Sequence, residues 1–93
     1  TIEADEVIET VTRYFGMTRK ELVVGRNSKR NVTIYLMKTQ VGMTNREIGR
    51  WFGGMSCSAV GKMYQRFRAR LMEDGPLRRE IDRLAKKMSD VGG

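Results

Sequence analysis

The sequence predicts an all-α domain of about six helices, and three observations carry that reading. Apolar residues recur at helical spacing in the segments between the glycines, no segment alternates with the period of a strand, and two Thr-x-x-Glu sequences supply helix-start signals. Ninety-three residues with 40% hydrophobic content suit one small core and not two.

The first helix is expected from about Ala4 to Phe15, where Val7, Ile8, Val11, Tyr14 and Phe15 form an apolar stripe. Asp5, Glu6 and Glu9 lie toward its positive end, and Gly16 ends it. Thr18 and Glu21 form a capping box that opens a short second helix burying Leu22 and Val23, which Gly25 breaks. Gly25 to Arg30 is expected to be a polar loop, with three bases (Arg26, Lys29, Arg30) in six residues. A third helix from roughly Asn31 to Val41 turns Val32, Tyr35 and Leu36 to the core, with Thr39 as a fourth, and Gly42 closes it.

Met43 to Arg70 organises the rest. Thr44 and Glu47 form a second capping box, and Ile48, Trp51 and Phe52 make a short apolar stripe. Gly53 and Gly54 supply the positive φ that ends this helix and reverses the chain. Ser56 caps the next helix, in which Val60, Met63, Phe67 and Leu71 repeat at i, i+3, i+7 and i+11. Two helices joined by roughly three residues make a helix-turn-helix. Beyond it, Asp74-Gly75-Pro76 starts a last helix that runs to about Met88 and adds Leu77, Ile81, Leu84 and Met88 to the core. Its outer face pairs Arg78 with Asp82 and Asp82 with Lys86 at i, i+4, and Val91 to Gly93 should fray.

Composition narrows the function. One cysteine and no histidine leave no usual zinc ligand set and no Ser/His/Asp or Cys/His catalytic arrangement, so neither a metal nor a cofactor is expected and an enzyme is disfavoured. No apolar run approaches a membrane span and no signal-peptide pattern opens the chain, so a reducing, intracellular setting is the simplest expectation. The chain starts at Thr1 and not at Met, which suggests one domain, residues 1–93, excised from something longer. The net charge is +7, unevenly spread: residues 1–12 hold four acids and no base, while residues 13–70 hold thirteen Lys or Arg against Glu21 and Glu47, a net of +11. Such an excess around a helix-turn-helix is the electrostatic footprint of a polyanion binder. An anionic membrane suits it less, because the bases are spread over several short helices.

At 100° per residue, Val60, Met63, Tyr64, Phe67 and Leu71 cluster within about 40° to 60° of one direction, which makes that face core. The opposite face collects Ser58, Lys62, Gln65, Arg66 and Ala69, with Gly61 on its flank. Small side chains allow close approach to a DNA major groove while Gln, Lys and Arg reach base edges and phosphates. Gly61 costs roughly 1 kcal/mol against alanine in mid-helix and so marks a close approach, to DNA or to a neighbouring helix. The free N–H groups at Ser56 to Ser58 suit a phosphate. Cys57 lies in that turn, where a helix N-terminus can lower a thiol pKa, but its plain reading is a small residue at a packed or groove-facing position.

Glu47-Ile48-Gly49, Phe52-Gly53-Gly54 and Ser58-Ala59-Val60, with Val7 to Leu22 and the basic loop before them, resemble the C-terminal DNA-binding domain of the bacterial replication initiator DnaA. The resemblance runs from roughly Ile2 to Met88 and implies the Trp repressor/DnaA C-terminal-like fold and a bacterial, cytoplasmic protein on the nucleoid. It implies that an arginine of the loop, Arg30 with Arg26 and Lys29 as neighbours, enters the minor groove. It implies also that Ser58, Lys62 and Arg66 read the major groove. The family's Arg-Asp-His-Ser/Thr-Thr-Val after the two glycines is here Met55-Ser56-Cys57-Ser58-Ala59-Val60, and the loop is shorter by several residues. With roughly 1 to 3 kcal/mol of discrimination per good base contact, these losses remove most of the preference for the origin box. Gly-Gly-x-Ser-x-Ser-Ala-Val-x-Lys is more similar to the DnaA-like domain of bacterial proteins related to REP-associated tyrosine transposases. Their His-hydrophobe-His motif and nucleophilic tyrosine are absent from this sequence, as is an initiator's P-loop.

The expectation is therefore a sequence-preferring double-stranded DNA-binding domain with a recognition helix at about 56–72. Arg26, Lys29, Arg46 and Arg50 hold phosphates, Ser56 contributes its helix N-terminus, and Ser58, Lys62, Gln65 and Arg66 read bases. Its rivals are a binder of hairpin or single-stranded nucleic acid and a protein-interaction domain that keeps the fold without reading DNA.

Overall fold

The computed structural model describes residues 2–24 and 28–92, and these contain six α-helices and no strand. Helix α1 spans Ala4–Phe15, α2 Arg19–Val24, α3 Ser28–Leu36, α4 Asn45–Trp51, α5 Cys57–Glu73 and α6 Gly75–Gly92. A π-helical turn, Met37–Val41, continues α3. The expected limits of α1 hold, with Val7, Ile8 and Val11 fully buried and Tyr14 and Phe15 half-buried beside them.

The Thr18 capping box forms as the sequence predicts. The Glu21 N–H donates to Thr18 Oγ1 at 3.1 Å and the Thr18 N–H donates to Glu21 Oε1 at 3.1 Å. Arg19 then bridges to Asp5 of α1 at 2.6 Å, which ties α2 to the acidic start of the chain. Gly25, Arg26 and Asn27 lie outside the described residues, and with them the break expected at Gly25.

Helix α3 differs from its expected form at both ends. It starts at Ser28, so Lys29 and Arg30 belong to its first turn and not to a loop. Lys and Arg are good helix formers, and the Lys29 ammonium lies over the Phe15 ring, 4.8 Å from its centroid, which anchors that turn to α1. At its far end the helix widens into the π-turn, where the Gly42 N–H donates to Met37 O. Met37, in line with Thr33 and Ile34, is buried, and beyond it the wider turn leaves Thr39, expected in the core, exposed with its hydroxyl donating to Tyr35 O at 2.9 Å. Thr33 and Ile34 are also buried, and the Thr33 hydroxyl is satisfied by Lys29 O at 2.8 Å.

Helices α3 and α4 pack on α5, while α1 packs on α3 and α6. The shared core holds Val7, Leu22, Leu36, Ile48, Val60 and Leu84, all completely buried. Asp74 caps α6, its Oδ1 accepting from the Leu77 N–H at 3.0 Å, and Pro76 falls in the first turn, where a missing N–H costs nothing. Ile81, Leu84 and Met88 are buried and Leu77 half-buried. Arg78 reaches Asp82 at 3.5 Å. The helix continues to Gly92, past the expected end near Met88, because Ser89-Asp90-Val91 contains no glycine or proline to stop it.

Candidate nucleic-acid interface

The interface is built on α4, its turn and α5. Thr44 accepts from the Glu47 N–H at 3.2 Å, and Glu47 Oε1 accepts from the Thr44 N–H at 3.0 Å. The Thr44 N–H and hydroxyl hold the Glu47 carboxyl below its usual pKa, with a smaller contribution from Arg50. Ile48 is buried. The turn then folds onto Gly49, whose carbonyl accepts from Phe52, Gly54 and Met55 N–H groups at 3.2, 3.0 and 3.1 Å. A Cβ at Gly49 would stand 2.1 Å from Met55 O, so only glycine lets the turn close this tightly. Gly53 and Gly54 adopt φ of 72° and 78°, as the sequence predicts.

Ser56 caps α5, its Oγ accepting from the Ala59 N–H at 3.1 Å. Five residues, Phe52 to Ser56, separate the two helices. Along α5, Val60, Phe67 and Leu71 are buried, whereas Met63 and Tyr64, expected in the core, are half-buried. Ser58, Lys62, Gln65, Arg66 and Ala69 are all exposed, so the polar face deduced from helical angles faces solvent. Gly61 meets a neighbouring helix: a Cβ there would stand 3.3 Å from Asn45 Nδ2 of α4. Cys57 is exposed.

Cations flank this face on both sides. On one side, Asn31, Ala59, Lys62, Met63, Arg66, Phe67 and Arg70 line an open groove of about 390 Å³ between α3 and α5. On the other, the Lys38 ammonium donates to Asn45 Oδ1 at 2.5 Å and lies 5.4 Å from the Tyr64 centroid, with the Arg68 guanidinium 5.8 Å from the same ring. Tyr64 in turn stacks on Tyr35 at 5.7 Å.

Of the residues singled out from sequence, Lys62 and Arg66 share the groove, while Ser58 and Gln65 lie on the exposed face of the same helix. Arg46 and Arg50 are exposed on α4, in its first and last turns. Lys29 and Arg30 are half-buried in the first turn of α3, next in sequence to Asn31 of the groove. Arg26 is outside the described residues. Lys38, Arg68 and Arg70, not singled out from sequence, also lie beside this face. The signal for Arg70 was present, since it continues the i, i+4 series of Lys62 and Arg66, whereas Lys38 is brought to α5 only by the packing of the π-turn.

Among the described residues no group of His, Cys, Asp and Glu could hold a metal ion, and no helix is long and apolar enough to cross a membrane. A capped helix pair closed on a glycine carbonyl, with a basic, acid-free face on its second helix, defines a helix-turn-helix DNA-binding domain. Residues 4–66 match the family model described as the bacterial DnaA protein helix-turn-helix, and the chain belongs to that family, whose domain binds double-stranded DNA. It is similar to the chromosomal replication initiator protein DnaA of Streptococcus uberis, 27% identical over 94% of this chain and 20% of the relative. The same protein of Bradyrhizobium sp. is 28% identical, and that of Rhizobium meliloti 26% identical, each over 96% of this chain and 20% of the relative. The chain thus spans about one fifth (20%) of the length of the relatives it matches. No solved structure matches it.

Proposed function

We propose that α5 enters the major groove of duplex DNA with Ser58, Lys62, Gln65 and Arg66 toward the bases. The observation that carries this is the exposed face itself: these residues line one side of a helix whose other side is core, and the first acid along α5 is Glu73. Ser58 and Ala69 are small enough to let the backbone approach, Gln65 offers an amide to an adenine edge, and Lys62 and Arg66 reach guanine edges or phosphates. Arg46 and Arg50 of α4 hold the backbone, Lys29 and Arg30 approach it from the first turn of α3, and Arg26, just before them in sequence, joins them. The Ser56-capped N-terminus of α5 faces a further phosphate.

The preference this face confers differs from that for the origin box, because Ser56 and Cys57 stand where the family has Asp and His. The chain acts as the DNA-binding module of a longer bacterial protein in the cytoplasm, supplying binding and no chemistry. Similarity to replication initiators over one fifth of their length (20%) supports that placement. The test is Lys62→Ala with Arg66→Ala, assayed on duplexes selected from a random pool. Loss of two phosphate or base cations should weaken binding and reduce the slope of log affinity against log salt by about two. Unchanged affinity would instead favour a protein-interaction role.

A further inference from the structure

We infer that the groove between α3 and α5 seats an unpaired nucleotide at the edge of the bound duplex, with its base on Met63 and its phosphate on Arg70. The inference rests on the duplex reading above and assigns a second form of nucleic acid to the flank of the same helix. Its volume, about 390 Å³, falls within the range of roughly 300 to 1,000 Å³ typical of small-molecule sites. The floor is apolar: Ala59 and Met63 are half-buried, and Phe67 closes it with 6% exposure.

The rim is cationic. Lys62, Arg66 and Arg70 recur every four residues, about 6 Å apart along the helix axis at 1.5 Å per residue. A row of cations can track the backbone of a single strand, and the apolar strip beside it offers an unpaired base a surface to leave water on. A paired strand cannot use that floor, because its base faces are already stacked inside the duplex. Asn31 stands in the wall opposite, and its amide carries both a donor and an acceptor for a base edge. Arg70 also reaches Asp74, whose Oδ2 lies 3.7 Å from Arg70 Nε.

Position along the helix favours the edge of the duplex. Lys62 and Arg66 form the edge shared with the reading face, while Ala59, Met63 and Arg70 each follow by one residue Ser58, Lys62 and Ala69, so the far side of the groove lies about 100° around α5 from the reading face. With the reading face in the major groove, the strand leaving the contact passes this flank. An unpaired nucleotide there has its base free to turn onto Met63 while its phosphate stays with Arg70.

The experiment compares the 93-residue chain on a short blunt duplex with the same duplex carrying a short oligothymidine extension at each of its four strand ends in turn. One extension should tighten binding about tenfold, the size expected from burying part of one base on Met63 and adding one phosphate contact. Arg70→Ala should return the ratio of extended to blunt affinity to about one. Asn31→Asp, which changes charge and not shape, should do the same, and circular dichroism would show both variants folded. A ratio near one for all four extensions in the unaltered chain overturns the seat while leaving the duplex reading intact. A tightened ratio that persists in both variants also overturns it, since the extension is then held elsewhere. Failure to bind any duplex, blunt or extended, overturns the duplex reading itself and the seat with it.

Discussion

Gly49→Ala is the sharpest perturbation of the motif. Alanine places its Cβ 2.1 Å from Met55 O where ordinary contact begins at 3.4 Å, so the turn must open by more than 1 Å. The obstacle is backbone, and it is held by the N–H groups of Phe52, Gly54 and Met55, all donating to Gly49 O. Overpacking of this kind costs about 1 to 3 kcal/mol, and disrupting two of the three hydrogen bonds adds about 1 kcal/mol each. Better helix propensity returns about 1 kcal/mol, which leaves a net loss of roughly 2 to 4 kcal/mol. For a domain of this size each kcal/mol is worth about 4 to 8 °C, so Tm should fall by roughly 8 to 32 °C. Gly61→Ala is the control, because its Cβ meets only the side-chain nitrogen of Asn45, at 3.3 Å. It should stay within about 1 kcal/mol of the unaltered chain. Urea unfolding of both variants decides the matter. A Gly49→Ala variant within about 0.5 kcal/mol of the unaltered chain would refute the close approach of turn and helix.

Two further predictions concern the caps. Ser56→Ala removes the acceptor of the Ala59 N–H and should cost about 1 kcal/mol in urea unfolding, while Ser56→Gly should cost only a few tenths. Glu47→Gln keeps the capping geometry and removes the charge. Because the folded-state pKa of Glu47 is lowered, its charge stabilises the fold above the ordinary carboxylate range, and that stabilisation is lost as pH falls through the lowered value. The unaltered chain should therefore have the higher Tm at neutral pH, and the two Tm curves should converge in acid; a constant gap across the titration would contradict this.

The parts of the fold that were legible in the sequence are those set by local chemistry. Both Thr-x-x-Glu boxes, the Ser56 cap, the Gly53-Gly54 reversal and the limits of α1 each depend on residues within one or two turns of one another. The start of α3 was not legible, because Lys29 and Arg30 look like a basic loop until Lys29 finds the Phe15 ring, fourteen positions earlier in the chain. Nor does periodicity disclose the π-turn, since one widened turn takes Thr39 out of the core. At the candidate site, the solvent exposure of the polar face of α5 followed from helical angles alone. Its flanks did not, because the groove depends on where Asn31 crosses α5, and the Lys38–Asn45–Tyr64 cluster on how the π-turn meets α4. Gly49 shows the same division. The sequence marks it as one more helical residue, and only the returning Met55 carbonyl shows why a side chain is excluded.

In the proposed mode of binding, a cationic face on α5 and its neighbours holds duplex DNA through its phosphates. The most direct measurement is the affinity of the chain for duplex DNA as a function of salt. If about six phosphates are neutralised, log affinity should fall against log salt with a slope near −5. A slope near zero on every duplex tried would contradict the account.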